Sequence, residues 1–536
     1  MKHRWGVIVL VAVLSFVTGG WFVQRGVSDD GNVFQQARLF DDVLRHIDAY
    51  YVDSIGEVEL YDRAISGLIE ELDDPYTVLL AGESFRQLTE RTTGNYGGLG
   101  IQIDVRDGWI TVVAPLPDTP AERAGIESGD QIIEVDGAST EDWSSDKAVN
   151  TLRGEDGSTV SIRVRRAGVA TLLTFNITRA VIHVRSVPPG TMFDDGIGYV
   201  SLNPVSEASA TELNNEIQSL RDRGMHSLVL DLRRNPGGLL DQGVAVSDLF
   251  LDEDKEVVST RGRARGSTRR FTTDHKQAWP DMPIVVLVDR YSASSAEIIA
   301  GALQDHDRAV IVGETTFGKG LVQTLYRLGS TTALKLTTAR WYTPSGRTIQ
   351  RTQAGIGADN DIAAGEEPAA DSTLPLFHTA AGREVRGGGG IIPDVAVASD
   401  TLTTAEQRFV GTMGEDWPKY RDAITSFVLE LKDEGAITDV DFVVSPAMRA
   451  TLYQKLVERG GTVSQADFDA AGALVGDQLG YEIARYVFGR DKEFQRRYSD
   501  DSQIRAALAL LEQARTPDAL LTLAGKQADS GSTDTP

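Results

Sequence analysis

The chain has no cysteine in its 536 residues, and none of its 7 histidines lies within a sequence motif. Disulfide bonds, thiol catalysis and cysteine metal sites are therefore excluded. A His-Glu-x-x-His sequence and a carboxylate cluster of metal-binding type are also missing from the sequence. The sequence thus predicts that the protein uses neither a metal ion nor a cofactor.

Basic residues are in the minority, with 53 Lys and Arg against 78 Asp and Glu, for a formal net charge of −25. Binding to nucleic acid needs a basic surface, so the composition excludes this class of partner. A hydrophobic content of 41% and a charged content of 24% are typical of a globular protein. The chain is long enough for several domains, each with its own core.

A long uncharged run stands near the N-terminus, from Trp5 to Val23, and it has about the minimum length for spanning a bilayer. Lys2 and Arg4 precede it, and such a basic flank stays in the cytoplasm while the rest of the chain is exported. We predict an anchor in residues 1–32 that holds the protein on the inner membrane, in the cell envelope or periplasm. A signal peptide that is cleaved after export is the alternative.

A serine and a lysine carry most of the functional information. Ser294 begins a predicted helix, Ser294–Gln304, and Lys319 follows the strand-like segment Ala309–Val312. One helix and one strand separate them, which is a short path for bringing a hydroxyl and an amine together. A serine hydroxyl needs a base beside it, and a neutral lysine can act as that base. Gln323, four residues after the lysine, could hold the amine in line by a hydrogen bond.

Histidine is a less suitable base for this serine. His306 stands at the far end of the predicted helix, about 18 Å from Ser294 along the axis, which is too far for proton transfer. To act as a base, Lys319 must lose its proton, so its pKa must fall from about 10.4 towards about 7–8. Apolar neighbours that bury the amine lower its pKa, and three of them are near in sequence: Phe317, Leu321 and Val322.

Candidate donors for a negatively charged oxygen stand beside the serine. The backbone N–H of Ser295 is at the N-terminus of the predicted helix, where amides have no helical partner. Gly237 or Gly238, in the loop after the predicted strand Ser227–Leu232, could supply the second donor, because glycine lets the backbone approach a substrate carbonyl. A simple tight turn is the alternative interpretation of Asn235–Gly238.

The hydrophobic pattern alternates, as in strands, from Tyr96 to about Thr178, and it predicts a small β-rich domain resembling a PDZ domain. A glycine-containing loop opens this domain and would offer backbone N–H groups to a carboxylate. An extended peptide could then pair with the strand that follows, so a free peptide C-terminus is the predicted ligand. The loop consists of Gly98, Leu99, Gly100 and Ile101.

Five segments resemble, in the same order, the motifs of the carboxyl-terminal processing proteases, which are serine peptidases with a PDZ domain. The resemblance extends roughly from Leu72 to Val397. The sequence departs from the family motif at one place, where Ser295-Ala296 replaces the usual Ala-Ser. Ser292 and Ser295 are therefore alternative candidates for the nucleophile beside Ser294. The segments are Leu72–Pro75, Tyr96–Ile101, Asp231–Gly238, Ser292–Glu297 and Phe317–Gln323.

The resemblance implies a serine endopeptidase that recognises the free C-terminus of a protein or peptide substrate through its PDZ domain. Ser294 would form an acyl-enzyme, with Lys319 as the base and Gln323 beside it. The resemblance also implies two further candidate partners, an adaptor protein and a second copy of the chain in a homodimer. Arg153 is a candidate contact between the PDZ domain and the protease core, and a solvent-exposed arginine is the alternative. A scaffold that tethers envelope proteins without catalysis is the rival function.

The predicted fold class is a multidomain α/β protein with a core of the crotonase-like kind. Strands and helices alternate from Ile197 to about Val397, which is typical of βαβ units. The predicted divisions are an anchor and linker at 1–32, a helical region at 33–94, a PDZ domain at 95–180, a protease core at 181–398 with a mobile insertion at 351–376, a helical extension at 399–526 and a disordered tail at 527–536.

Overall fold

The computed structural model describes residues 33–106, 108–166, 168–193, 195–351 and 374–531. The predicted anchor in residues 1–32 and most of the predicted insertion at 351–376 lie outside these ranges. Within them, no helix is long and apolar enough to cross a membrane. The chain forms two compact units, residues 1–81 with 323–337 and residues 82–322 with 338–536, and each is described by itself.

In its described residues, from 33 onward, the smaller unit contains two helices and short antiparallel strands. Helix α1 covers residues 33–50, and α2 covers Glu57–Glu70. Strand β1, Val78–Ala81, pairs with the first part of β18, Thr332–Tyr342, so that Val78 lies opposite Lys335.

The larger unit begins with helix α3, Glu83–Thr93, and continues into a β-rich domain. Its main sheet has the order β3-β4-β5-β7-β8, with β6 on β5, while β2 pairs with β9 outside this sheet. Strand β3 pairs only with β4 in this sheet, so it forms the edge. The elements are β2 Asn95–Gly98, β3 Ile101–Arg106, β4 Trp109–Pro115, α4 Pro120–Ala124, β5 Gln131–Val135, β6 Ala138–Ser139, α5 Ser145–Leu152, β7 Thr159–Arg165, β8 Leu173–Thr178 and β9 Ala180–His183.

A second sheet, with the order β10-β11-β12-β15-β16-β21, forms the centre of the larger unit. All of its pairs are parallel except β10 with β11. Its strands β12, β15 and β16 are buried at every position, as expected when helices cover both faces. The elements are β10 Thr191–Met192, β11 Ile197–Ser201, α6 Ser209–Asp222, β12 Ser227–Asp231, α7 Leu240–Asp248, β15 Ile284–Val288, α8 Ser295–Asp305, β16 Val310–Gly313 and β21 Val395–Ala396.

Further strands extend beyond the parallel sheet. Strand β13, Glu256–Arg261, pairs with β14, Arg269–Thr272, and also with the end of β18, where Thr260 lies opposite Trp341. Strand β17 covers Leu321–Arg327, and most of it belongs to the smaller unit. A hairpin is formed by β19, Leu376–His378, and β20, Glu384–Arg386.

The C-terminal part is helical, as the sequence predicts. Gly414–Asp416 forms a 3₁₀ turn, and Ala484–Phe488 forms a π-helical turn. The last helix, α16, reaches Gly531 and so enters segment 527–536, which the composition predicts to be disordered. The helices are α9 Thr404–Met413, α10 Trp417–Asp433, α11 Pro446–Glu458, α12 Gln465–Ala470, α13 Gly472–Ile483, α14 Arg490–Ser499, α15 Ser502–Gln513 and α16 Pro517–Gly531.

These helices divide into two packing groups. Helices α9 to α13 share a hydrophobic core of their own, which we call the helical cluster. Helix α15 instead places an apolar stripe, Ile504, Ala507 and Leu511, on the parallel sheet, where Val285 and Val312 belong to the same core. Helices α6 to α8 contribute to the core on the other side of the sheet. The end of the chain is therefore part of the core that carries the central strands.

Candidate active site

Three loops meet at one edge of the parallel sheet. They follow β12, β15 and β16, which are neighbouring strands and run parallel, so their carboxyl ends lie side by side. Such edges are where open α/β sheets bind their ligands. The first loop carries Gly237 and Gly238, the second carries Ser294 and the third carries Lys319.

Ser294 occupies a sharp turn between strand β15 and helix α8. Its backbone has φ 55° and ψ −118°, a conformation that non-glycine residues rarely adopt. Strain of this kind is concentrated at functional sites, and a serine on a strained strand-to-helix turn is the arrangement of the nucleophile elbow. Helix α8 behind it is buried at every residue, so the turn is held rigidly.

The two neighbouring serines are less suited to attack a substrate. Ser292 and Ser295 are both fully buried, whereas Ser294 is partly exposed. The hydroxyl of Ser292 donates to the Leu232 carbonyl oxygen at 2.8 Å and accepts from the Asp289 amide at 3.0 Å, so it stabilises the loop. The Oγ atom of Ser295 has no hydrogen-bond partner within the described part of the chain. The geometry therefore favours Ser294.

A buried carboxylate, Glu297, joins the serine loop to the lysine loop. Its Oε2 accepts hydrogen bonds from the backbone amides of Ser294 at 2.8 Å and Lys319 at 2.9 Å. Its Oε1 accepts from the Gly318 amide at 2.7 Å and from the Thr316 hydroxyl at 2.5 Å. Because two bonds end on one oxygen, the amide nitrogens of Ser294 and Lys319 lie within about 6 Å of each other.

The charge state of Glu297 reflects two opposing effects. Burial raises the pKa of the carboxyl, while the four hydrogen bonds act in the other direction, and burial is the larger effect. Arg351 interacts with this charge, and burial lowers the pKa of its guanidinium. The guanidinium also donates to the carbonyl oxygens of Phe317 and Thr316, both at 3.1 Å. The lysine loop is thus held by a carboxylate through its amides and by an arginine through its carbonyl groups.

Lys319 and Gln323 belong to different compact units, Lys319 to the larger and Gln323 to the smaller. Lys319 is half-buried, and its carbonyl oxygen accepts from the Trp341 indole N–H at 3.0 Å. Gln323 lies in strand β17, in the smaller unit. Its side-chain nitrogen is buried and has no hydrogen-bond partner among the described residues. The roles of Lys319 as base and of Gln323 as its partner stay predictions.

The glycine loop packs directly against the serine. A Cβ added to Gly237, which has φ +85°, would lie 2.8 Å from Ser294 Cβ and 2.9 Å from the Ser295 amide nitrogen. The N–H of Gly237 donates to Asn235 Oδ1 at 2.8 Å, so it is already used within the loop. Of the two glycines, Gly238 is therefore the better candidate for an oxyanion donor beside Ser295. Gly237 instead provides the space that this close approach requires.

The loop at the start of β3 has the backbone orientation that carboxylate binding needs. The Leu99 carbonyl oxygen accepts from the Ala121 amide at 3.0 Å, and that of Gly100 accepts from the Leu116 amide at 2.8 Å. Since the carbonyl and the next N–H of a trans peptide point in opposite directions, the N–H groups of Gly100 and Ile101 face away from these partners. Leu99, Gly100 and Ile101 line a small cavity of about 70 Å³. Gly98 ends strand β2 beside them.

Arg153, the predicted contact between the PDZ domain and the protease core, lines a cavity together with Pro204 and Ser206 of the predicted core. Its side chain is 30% exposed and forms an ion pair at 2.5 Å with Glu90 of helix α3. Its guanidinium also lies 4.4 Å from the ring centroid of Tyr96. The contact with the protease core stays a prediction. Glu90 precedes the β-rich domain in the chain, so Arg153 ties this domain to α3. Glu90 lies about two turns into α3, and no local sequence pattern identifies it as the partner of Arg153.

Comparison with known proteins agrees with this architecture. The model of Peptidase family S41 matches residues 196–363, and the PDZ domain model matches residues 87–165. A carboxy-terminal-processing protease of Bartonella bacilliformis is 38% identical over 364 residues, which cover 67% of this chain and 82% of that protein. The chain belongs to the S41 peptidase family. The predicted enzyme class, a serine endopeptidase of the C-terminal processing type, is confirmed.

Other relatives of the S41 peptidase have similar names. The carboxy-terminal processing protease CtpA of Bacillus subtilis is 35% identical over 346 residues, covering 64% of this chain and 73% of that protein. Among solved structures, the photosystem II D1 C-terminal processing protease is 30% identical and covers 58% of this chain and 89% of that chain, with a TM-score of 0.34. The predicted fold class, with N-terminal helices, a PDZ domain, an α/β protease core and C-terminal helices, is confirmed.

Sequence reasoning did not identify the role of Glu297 in the peptidase. The spacing of Ser294 and Glu297 is that of a capping box, in which the glutamate accepts from the amide of the serine. That signal predicts the bond to the Ser294 amide. It does not predict that the same carboxylate also binds the Gly318 and Lys319 amides, because this requires the loop after β16 to fold back onto the start of α8.

Proposed function

We propose that this S41 peptidase cleaves exported proteins through a Ser294–Lys319 acyl-enzyme mechanism, after its PDZ domain has bound the substrate's free C-terminus. The observation that carries the proposal is the strained, partly exposed Ser294, which shares the buried Glu297 carboxylate with the Lys319 amide. A protein that only tethers its partners would gain nothing from a strained serine beside a glycine loop.

In the proposed reaction, the neutral amine of Lys319 takes the proton of the Ser294 hydroxyl as Oγ attacks the scissile carbonyl carbon. The resulting oxyanion accepts hydrogen bonds from the N–H groups of Ser295 and Gly238. When the C–N bond breaks, the leaving amine receives the proton from the lysine. Water then hydrolyses the ester with the same lysine as base, and Ser294 regains its proton.

The PDZ domain supplies the proposed preference for free C-termini. A terminal carboxylate would accept from the outward-facing N–H groups of Gly100 and Ile101, and the residues before it would pair with the edge of β3. Two further predictions of the sequence accompany the proposal. The predicted anchor would place the peptidase in the cell envelope, and an adaptor protein and a homodimer stay open as partners.

The mechanism is tested with purified protein and one peptide substrate, made with a free and with an amidated C-terminus. Ser294→Ala should lower kcat at least about 1000-fold without loss of folding. Lys319→Arg should be nearly as inactive as Lys319→Ala, because arginine does not give up its proton in proteins. Lys432→Arg, on the surface of α10, is the control. An active Lys319→Arg variant would exclude the lysine as general base.

Recognition and location are tested separately. The wild-type enzyme should cleave the free peptide faster than the amidated one, and equal rates would refute C-terminal recognition. Fractionation of cells that express the full chain should recover it with the inner membrane, exposed to protease added from the periplasmic side. Recovery from the cytoplasm would refute the predicted export.

A further inference from the structure

A large cavity adjoins the peptide edge of the PDZ domain. Its volume is about 950 Å³, and it lies between strand β3 and the helical cluster, all within the larger compact unit. Ile101, Ile103 and Val149 line both this cavity and the small cavity at the carboxylate loop. The two cavities therefore adjoin, and a peptide leaving the carboxylate loop along β3 would run beside the larger one.

The helical cluster supplies the opposite wall. Trp417, Tyr420 and Ile424 of α10 line the cavity, together with Leu474 of α13. The ion pair between Arg421 of α10 and Asp104 of β3, at 3.3 Å, connects the two walls. An isolated PDZ domain would leave this side of a bound peptide in solvent, whereas here it faces aromatic and aliphatic side chains.

The charges on the cavity walls favour an acidic occupant over a basic one. Four arginines line the cavity with two carboxylates, those of Asp104 and Glu482. Glu493, outside the lining, pairs with Arg485 and Arg497. The arginines therefore exceed the carboxylates near them by one. The arginines are Arg106, Arg421, Arg485 and Arg497. A peptide with a free terminal carboxylate is attracted by this excess of positive charge, and acidic side chains near its C-terminus add to the attraction.

We propose that the helical cluster is the second wall of the substrate groove and binds the residues just before the substrate's C-terminus. This inference rests on the proposed function, since it assumes that the PDZ domain binds a substrate tail. In an extended peptide paired with β3, alternate side chains point to opposite faces. One set faces α5 and the PDZ core. The other set, which includes the penultimate residue, faces α10, so this wall selects large apolar or acidic side chains there.

The first test fills the cavity from the helical side. Thr425 of α10 lines the cavity and is only partly exposed, so Thr425→Trp places an indole in it. Leu429→Trp, at an exposed position on the same helix outside the cavity lining, is the matched control. Each is made in the full chain with Ser294→Ala, and binding of a fluorescent peptide with a free C-terminus and a penultimate leucine is measured by anisotropy.

Thr425→Trp should weaken binding at least about tenfold, and Leu429→Trp should leave it within about twofold of the parent. A peptide with penultimate glycine should lose less affinity than the leucine peptide, because it projects no side chain towards α10. Equal affinities of the parent and Thr425→Trp for the leucine peptide would overturn the proposal. The proposed function fails by a different result, namely equal binding of the free and amidated peptides to the parent.

Charge reversal provides a second, independent measurement. The parent should prefer a penultimate glutamate to a penultimate lysine by about fivefold, and Arg421→Glu should abolish or invert that preference. Lys432→Glu, which reverses a charge at the end of the same helix outside the cavity lining, should not change it. Because the readout is a ratio between two peptides, a general loss of affinity or a partly unfolded fraction cancels. An unchanged ratio in Arg421→Glu would overturn the role of the helical wall.

Discussion

Replacement of Glu297 by glutamine is the most informative perturbation of the site. The change keeps the side-chain shape but turns one acceptor oxygen into an NH₂ group. Two donors bind each carboxylate oxygen, Ser294 and Lys319 on one and Thr316 and Gly318 on the other. If the NH₂ group replaces Oε2, the amides of Ser294 and Lys319 face another donor. If it replaces Oε1, the Gly318 amide faces another donor, whereas the Thr316 hydroxyl can turn and accept.

The magnitude follows from these bonds. A hydrogen bond to a charged group contributes about 1.5–3 kcal/mol, so losing one or two of them costs about 1.5–6 kcal/mol. Part of this loss is recovered because glutamine is neutral and the burial of a charge is itself unfavourable, as the raised pKa of Glu297 indicates. We expect unfolding free energy to fall by about 3 kcal/mol. A displacement of about 1 Å between the two loops should lower kcat about 100-fold.

The assay combines urea unfolding with steady-state cleavage of a peptide, at a temperature where circular dichroism shows the variant to be folded. KM should stay within about twofold of the wild-type value, because the PDZ groove is unchanged. Glu314→Gln is the matched control, since Glu314 lies in the same loop but forms a partly exposed ion pair with Arg290. If Glu297→Gln keeps more than half of the wild-type kcat, Glu297 does not position the serine and lysine loops.

Two further predictions concern the glycine loop and the helical cluster. Gly237→Ala should lower kcat more than about 100-fold with little change in peptide binding. The reason is that the added Cβ would lie 2.5 Å from the Ala293 carbonyl oxygen and displace the turn that carries Ser294. A kcat near the wild-type value would contradict the close approach of the two loops. Asp416 accepts hydrogen bonds from Lys419 and Thr462, which lower its pKa to about 2. Asp416→Asn should therefore destabilise the helical cluster by about 1–2 kcal/mol at pH 7. A carboxyl group whose pKa is lowered by folding stabilises the folded state at pH values above its pKa in the unfolded chain. The difference in unfolding free energy between wild type and Asp416→Asn should therefore vanish as the pH falls from about 4 to about 2. A difference that does not change with pH in urea unfolding would contradict the role of Asp416.

The sequence predicts the local parts of the structure well. Strand β15 and helix α8 follow from an apolar run and a capping signal, and the loops that carry Ser294 and Lys319 stand where the spacing places them. Parallel strand pairing then brings the loops together, since it aligns their carboxyl ends. These features depend on short stretches of chain and on general rules of sheet topology.

Long-range contacts could not be predicted in the same way. The Glu90 partner of Arg153, the loop amides bound by Glu297 and the wall that α10 forms beside β3 each join segments far apart in the chain. Apolar stripes in the C-terminal helices indicate that they pack against something, but a stripe does not specify its partner. Only the fold shows that α15 covers the catalytic sheet while α10 faces the PDZ groove.

The position of α15 also bears on how the enzyme is made. One face of the sheet, including Val285 and Val312, is covered by side chains from the last part of the chain. Arg233, in the loop that leads to the glycines, forms an ion pair at 2.8 Å with Asp501, at the start of the same helix. Synthesis proceeds from the N-terminus, so the serine and the lysine exist well before the surface that completes their sheet. The core on this face of the sheet is therefore complete only after α15, Ser502–Gln513, has been made, and until then that face of the sheet lacks its cover.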